Sequence, residues 1–262
     1  MSKGVSVIDV TKQYHSMDGS EVVALHNVNL HIEPGEFVAI VGSSGCGKST
    51  LLRTICGLLK PTSGSVKVND QVVNEPLDDT AMVFQTPTLL PWSTILDNVL
   101  FPLRMRGKMQ SSSAEYAMSL LKLVGLQGFE HKYPRELSGG MQQRAGICRG
   151  LVQNPSVLLM DEPFGALDAL TREEMSMELL RIWTEQPKTV VFVTHSITEA
   201  VLLSDRVVVM SPRPGRVVEV IPIQLERPRN FDQLGDTPAR QAMHRIREII
   251  YADQKTGSNV NA

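Results

Sequence analysis

The densest chemistry in the chain lies in Gly42-Ser43-Ser44-Gly45-Cys46-Gly47-Lys48-Ser49-Thr50, which follows the β-branched run Phe37 to Val41 and opens an apolar helical repeat. This G-x-x-x-x-G-K-[ST] spacing lets a backbone wrap a polyphosphate, with N–H groups and a helix N-terminus aimed at anionic oxygens. In that role Lys48 reaches the β- and γ-phosphates and the Ser49 hydroxyl meets Mg2+. Cys46 reads as a tolerated small residue, since no base stands near it in sequence to make it a nucleophile. A bulky thiol reagent on Cys46 is expected to block nucleotide binding, and prior nucleotide to protect it.

A second centre is Val157-Leu158-Leu159-Met160-Asp161-Glu162, an apolar run that ends in two carboxylates. A strand of this kind in a parallel sheet delivers its acids to the C-terminal edge, where phosphates bind in such sheets. Asp161 suits the magnesium, and Glu162 suits orienting and deprotonating an attacking water.

These residues need a scaffold of strands and helices. Short β-branched runs predict strands over Val5 to Val10, Val22 to Ile32, Phe37 to Val41, Ser65 to Val73, Val157 to Met160, Thr189 to Thr194, Val207 to Met210 and Val217 to Pro222. Helical spacing covers Lys48 to Leu59, Ser113 to Val124 and Gly140 to Val152. The alternation is that of an α/β protein with a largely parallel core sheet. From about Pro87 to about Gln153 the β-branched density falls, which predicts a helical subdomain inserted into the α/β body. After Pro222 come a predicted helix, Arg240 to Ile250, and a polar tail expected to be disordered.

Composition narrows the function classes. At 262 residues and 42% hydrophobic, the chain is long enough to bury a sizeable core. A formal net charge of -2 gives no electrostatic reason to expect nucleic acid. Cys46, Cys56 and Cys148 are an odd set without C-x-x-C spacing, which fits a reducing cytosol. The start has no apolar secretory core, and no run approaches the roughly 18 apolar residues of a membrane span.

At Leu137-Ser138-Gly139-Gly140-Met141-Gln142-Gln143-Arg144 the sequence resembles the signature of the ATP-binding-cassette family. Its other motifs follow in order over about residues 5 to 220. Tyr14 is similar to the aromatic that stacks on adenine, although a tyrosine after a first strand also serves as packing. Gln85 is similar to the glutamine between subdomains, Gly165-Ala166-Leu167-Asp168 to the D-loop, and His195 to the switch histidine. The resemblance implies a P-loop NTPase with a RecA-like core, an antiparallel β subdomain and the inserted helical subdomain, spanning 1–225, then a C-terminal extension over 226–262.

The resemblance also implies ATP and Mg2+ as cofactors. Catalysis falls to Glu162, His195, Lys48 and Gln85, and the metal to Ser49, Gln85 and Asp161. Nucleotide contacts fall to Tyr14, Gly42 to Thr50, Gln85, Ser138, Gly139, Gly140, Asp161 and Asp168. Two cassettes, as a homodimer or a paired cassette, would sandwich ATP, each phosphate loop facing the partner's Ser138. One departure is Met141, where the signature commonly has glutamine; Ser138 and backbone N–H groups carry the phosphate contact, so little loss is expected.

Leu89-Leu90-Pro91-Trp92-Ser93-Thr94-Ile95 and Met210-Ser211-Pro212-Arg213-Pro214-Gly215-Arg216 resemble the nitrate, sulfonate and taurine importers of that family. Trp92 is either an anchor for a transmembrane permease subunit or a residue packed under the helical subdomain. The importer reading implies a peripheral place on the cytoplasmic face of the inner membrane and, indirectly, a periplasmic or lipoprotein solute-binding protein, with no nucleic acid. The alternatives are an exporter subunit or a soluble cassette ATPase outside transport. Lys48 and Ser138 lie 90 positions apart with no heptad array between them, unlike the chromosome and repair cassettes.

Overall fold

The computed structural model describes residues 4–15 and 20–257, with side chains up to Ala252. In chain order the elements are β1 (Val5–His15), β2 (Glu21–Ile32), β3 (Phe37–Gly42), α1 (Lys48–Ile55), β4 (Ser63–Val68), β5 (Gln71–Val72), β6 (Thr80–Val83), α2 (Ile95–Met105), α3 (Ser113–Leu123) and α4 (Gly139–Leu151). They continue with β7 (Val157–Asp161), α5 (Ala169–Glu185), β8 (Thr189–Val193), α6 (Ile197–Leu203), β9 (Arg206–Met210), β10 (Val217–Pro222) and α7 (Thr237–Gly257). Two compact units divide them, one running to Leu77 and resuming at Pro187, the other spanning Asp78–Gln186.

In the first unit, β1 and β2 form a long antiparallel pair, and β1 pairs on its other edge with β4, giving the order β2-β1-β4-β5. The single run expected over Ser65 to Val73 is broken. Asn69 (φ 49) and Asp70 (φ 67) both take the left-handed conformation that a two-residue hairpin requires, so Val68 pairs with Gln71 across the turn. Beside this sheet the strands β10-β9-β3-β8 lie in order, with β3 parallel to both β8 and β9. Phe37 to Val41 are buried at every position, the mark of a central parallel strand covered on both faces.

Helix α1 stops earlier than its apolar spacing suggests. Gly57 (φ 80) turns the chain left-handed, and the Leu58 N–H reaches back to Arg53 O. At the other end of the chain, α7 extends to Gly257 through residues expected to belong to the polar tail; residues 258–262 of that tail lie outside the described residues. Ala239, Ala242, Ile246 and Ile249 bury one face of α7, and it contacts α6, β9 and β10.

In the second unit, β6 pairs in parallel with β7, from Thr80 opposite Val157 to Val83 opposite Met160. Helices α2, α3 and α4 pack on one another around Val99, Leu103, Ala117, Leu121 and Ile147. Neither β6, only four residues long, nor the 17-residue α5 is among the elements expected from sequence. Among the described residues no helix is long and apolar enough to cross a membrane.

Candidate functional site

The first unit builds the phosphate-type loop. Strand β3 ends at Gly42, the loop turns through Gly45 (φ 74), and α1 begins after Gly47 (φ 105). Gly47 is the N-cap of α1 and brings no side chain to cap the first helical N–H groups. A Cβ on it would stand 2.8 Å from Ala24 O and strain the left-handed backbone as well. Ser44 and Gly45 are exposed at the tip, while Ser43, Ser49 and Thr50 are half-buried.

Lys48 is 6% exposed, and its ammonium donates to Gly42 O (2.9 Å) and Ser43 O (3.1 Å), so the charge sits inside the loop's own curve. Such a curl of two carbonyls around a cation can exchange its internal bonds for those of a polyphosphate. His195 is exposed just beyond β8, whose Val193 pairs with Ile40 of β3, so it and the loop both leave the C-terminal edge of neighbouring strands. Tyr14 lies on β1, 38% exposed, with the Lys12 ammonium 5.3 Å over its ring.

Cys46 overturns one expectation. Its side chain is fully buried, with Sγ 3.8 Å from Lys48 Nζ, and burial pushes the thiol pKa up against the opposing charge of Lys48. The thiol points into the fold and stays protonated, which removes both access and nucleophilicity toward a bulky reagent.

The second unit gathers the acids and the signature residues. Asp161, 2% exposed, is the last residue of β7, and Glu162 follows in the left-handed region (φ 46), an unfavourable backbone for a residue with a Cβ. The Glu162 carboxylate accepts a hydrogen bond from Gln85 Nε2 at 2.9 Å. Asp168 caps α5, accepting from the Thr171 N–H (3.0 Å), and that bond holds its pKa below the usual carboxylate range. Ser138 caps α4, its Oγ accepting from the Met141 N–H (3.3 Å), with Ser138 and Gly139 exposed and Gly140 half-buried. Among the described residues no three His, Cys, Asp or Glu side chains cluster as a metal site, and the expected metal set contains one carboxylate.

Three positioning residues escaped the sequence reading. From α4, Gln143 Nε2 donates to Phe84 O (3.2 Å), while Arg149 donates to Pro87 O (2.6 Å) and Thr88 O (2.8 Å). The backbone on both sides of Gln85 is therefore tied to the helix that Ser138 caps. Asn98, fully buried on α2, accepts from the Leu90 N–H (2.6 Å) and directs its amide at Leu90 O, Ser93 O and Thr94 O, within 3.1 Å of each. That lattice presents Trp92 73% exposed, not packed beneath the helices. Side chain to backbone bonds carry no spacing signal in sequence, although a polar Asn within an apolar helical face was the available hint.

Residues 25–165 match the family described as ABC transporter. An uncharacterized ABC transporter ATP-binding protein of Methanocaldococcus jannaschii is 50% identical over 230 residues, 88% of this chain and 86% of that protein. The taurine import ATP-binding protein of Ruegeria pomeroyi is 46% identical over 214 residues, 82% of this chain and 80% of its own. The nitrate import ATP-binding protein of Synechocystis sp. is 48% identical over 230 residues, 86% of each. A solved dimeric post-hydrolysis state of an ATP-binding cassette, bound to ADP and Pi, shares 38% identity with a TM-score of 0.76, covering 85% of this chain and all (100%) of that one. With its phosphate loop, paired acids and capped signature helix on this fold, the chain belongs to the ABC transporter family, as one of its ATPase cassettes.

Proposed function

We propose that this chain is the ATP-hydrolysing subunit of an importer for a small solute of the nitrate, taurine or sulfonate kind. The observation that carries the hydrolytic half is Glu162, raised off the end of β7 and held at 2.9 Å by Gln85. The import half rests on relatives named for taurine and nitrate import over more than four fifths of this chain.

In the proposed reaction, Glu162 takes a proton from water as its oxygen bonds to the γ-phosphorus, and the bond from that phosphorus to the β–γ bridging oxygen breaks, leaving ADP and phosphate. Lys48 and the loop N–H groups from Gly42 to Thr50 hold the β- and γ-phosphates, Gln85 orients Glu162, and His195 binds the γ-phosphate and places the water. Tyr14 stacks on adenine, and Asp168 adds a contact from the D-loop. The hydroxyl, amide and carboxylate oxygens of Ser49, Gln85 and Asp161 are hard donors that suit Mg2+, which would neutralise charge on the phosphates. Ser138, Gly139 and Gly140 contact the γ-phosphate held by a second cassette, so nucleotide closes the dimer and hydrolysis loosens it.

The chain works in this reading as a peripheral subunit on the cytoplasmic face of the membrane. Trp92, exposed on its pinned loop, is the anchor for a transmembrane permease, and the solute-binding protein acts through that permease.

Phosphate release by the purified protein tests the chemistry. Glu162→Gln should bind ATP like the parent and hydrolyse it about a hundredfold more slowly or worse; parental turnover in that variant removes Glu162 from its role. Trp92→Ala should leave ATPase activity intact and weaken co-purification with the permease, and undiminished co-purification refutes the anchor.

A further inference from the structure

The turn between β9 and β10 closes on itself: the Ser211 N–H donates to Arg216 O (2.9 Å) and the Arg216 N–H to Ser211 Oγ (3.0 Å). It is also sewn to β2. The Gly215 N–H donates to Ala24 O (2.9 Å), and Gly215 O accepts from the His26 N–H (3.0 Å). Gly215 is buried, and a Cβ on it would fall 2.0 Å from the carbonyl oxygen of Cys46, 3.0 Å from Met210 Cε and 3.2 Å from Ala24 O. Three stretches of backbone, the turn, β2 and the phosphate loop, thus meet with Gly215 and Gly47 as the residues whose missing side chains permit contact.

We propose that the 211–216 turn is a nucleotide-positioning element and that Gly215 is the positioning residue through which it acts. The carbonyl of Cys46 and the N–H of Gly47 belong to one rigid planar peptide. Pressing on the oxygen therefore rotates the N–H at the other end, which lies in the stretch expected to face phosphate. Relieving a 2.0 Å contact demands movement of about 1 Å, a displacement that costs up to roughly a hundredfold where geometry matters. Beyond the importer resemblance of the Met210 to Arg216 stretch, its place against β2 and the loop suits a mechanical task. The inference rests on the nucleotide reading of the Gly42 to Thr50 loop.

The test is titration with a fluorescent ATP analogue, alongside circular dichroism and melting temperature, for the parent, Gly215→Ala and a control, Gly235→Ala, where a Cβ meets nothing within 4 Å. Gly215→Ala should stay folded and bind the analogue roughly 10- to 100-fold more weakly, with Gly235→Ala unchanged. Parental affinity in a folded Gly215→Ala overturns the inference while leaving the nucleotide reading intact. A parent that binds no nucleotide overturns both. Should Gly215→Ala fail to fold, Ser211→Ala decides, because it slackens the turn without a clash: weaker binding supports the role and parental binding overturns it.

Discussion

Glu162 and Cys46 show how much a single position owes to its surroundings. Both sit in motifs that sequence spacing makes visible, yet their states follow from backbone and burial. Glu162 adopts a left-handed backbone and meets Gln85, which agrees with a carboxylate set aside for chemistry. Cys46 shares a loop with Lys48 but turns inward, and Cys56 and Cys148 are buried as well. The thiol of Cys148 is also pushed up by burial. Native protein should therefore show no fast-reacting thiol toward a chromogenic disulfide reagent, and all the cysteines should react promptly in urea. Rapid labelling of Cys46 in the native protein, with or without ATP, would contradict this placement.

At the scale of elements, legibility depended on whether a residue's role was local. The loop Gly42 to Thr50 announces itself because its pattern is written in consecutive residues. Runs such as Phe37 to Val41 announce themselves because a central strand is apolar throughout. Asn69 and Asp70 split an expected strand because backbone handedness, not hydrophobicity, decides a two-residue turn. Arg227 and Arg229 were unreadable because most of their partners, helix-end carbonyls and Asp205, lie more than twenty residues away. Arg229, 5% exposed, donates to Val201 O (3.3 Å), Leu202 O (3.2 Å), Ser204 O (2.6 Å) and Leu225 O (3.2 Å). Arg227 donates to Asp205 Oδ1 (2.8 Å) and Leu203 O (3.0 Å), and Asp205 in turn accepts from the Phe37 N–H (2.9 Å). Burial, with the nearby charge of Arg227, lowers the Arg229 pKa to about 10, so it remains charged at neutral pH. These arginines close the C-terminal end of α6, where helical carbonyls lack partners and the helix dipole favours a cation. Arg229→Ala should cost about 3 kcal/mol, since several buried carbonyls lose a charged donor. Thermal melting should fall by on the order of 10 °C; an unchanged midpoint would show that α6 is held by packing alone.

Across the whole molecule, the fold class and the chemistry were both legible. The residues that fasten loops to helices were not, because their side chains bond to backbone carbonyls, either far along the chain as for Gln143 and Arg149 or without a motif to mark it as for Asn98. The proposed dimer belongs to this scale. Ser138 and Gly139 present an exposed, capped helix start, whose N–H groups suit a phosphate brought by a second cassette. Ser138→Arg should spare ATP binding by the single chain and abolish ATP-dependent dimerisation, read by size-exclusion chromatography in the Glu162→Gln background. Dimers forming normally there would show that this surface is not the partner's nucleotide contact. A net charge of -2 agrees with attachment through specific protein contacts in place of attraction to anionic lipid.

The buried amide of Asn98 has a thermodynamic corollary. Because it already holds the backbone on both sides of Trp92, that loop has surrendered its conformational freedom during folding. Docking would then carry almost no further ordering cost for the backbone, beyond the roughly 0.5–1.5 kcal/mol of fixing the indole rotamer. In the proposed complex, a contact that forms without ordering would be kept at little entropic cost each time the partner docks, as a stiff strut and not as a tether.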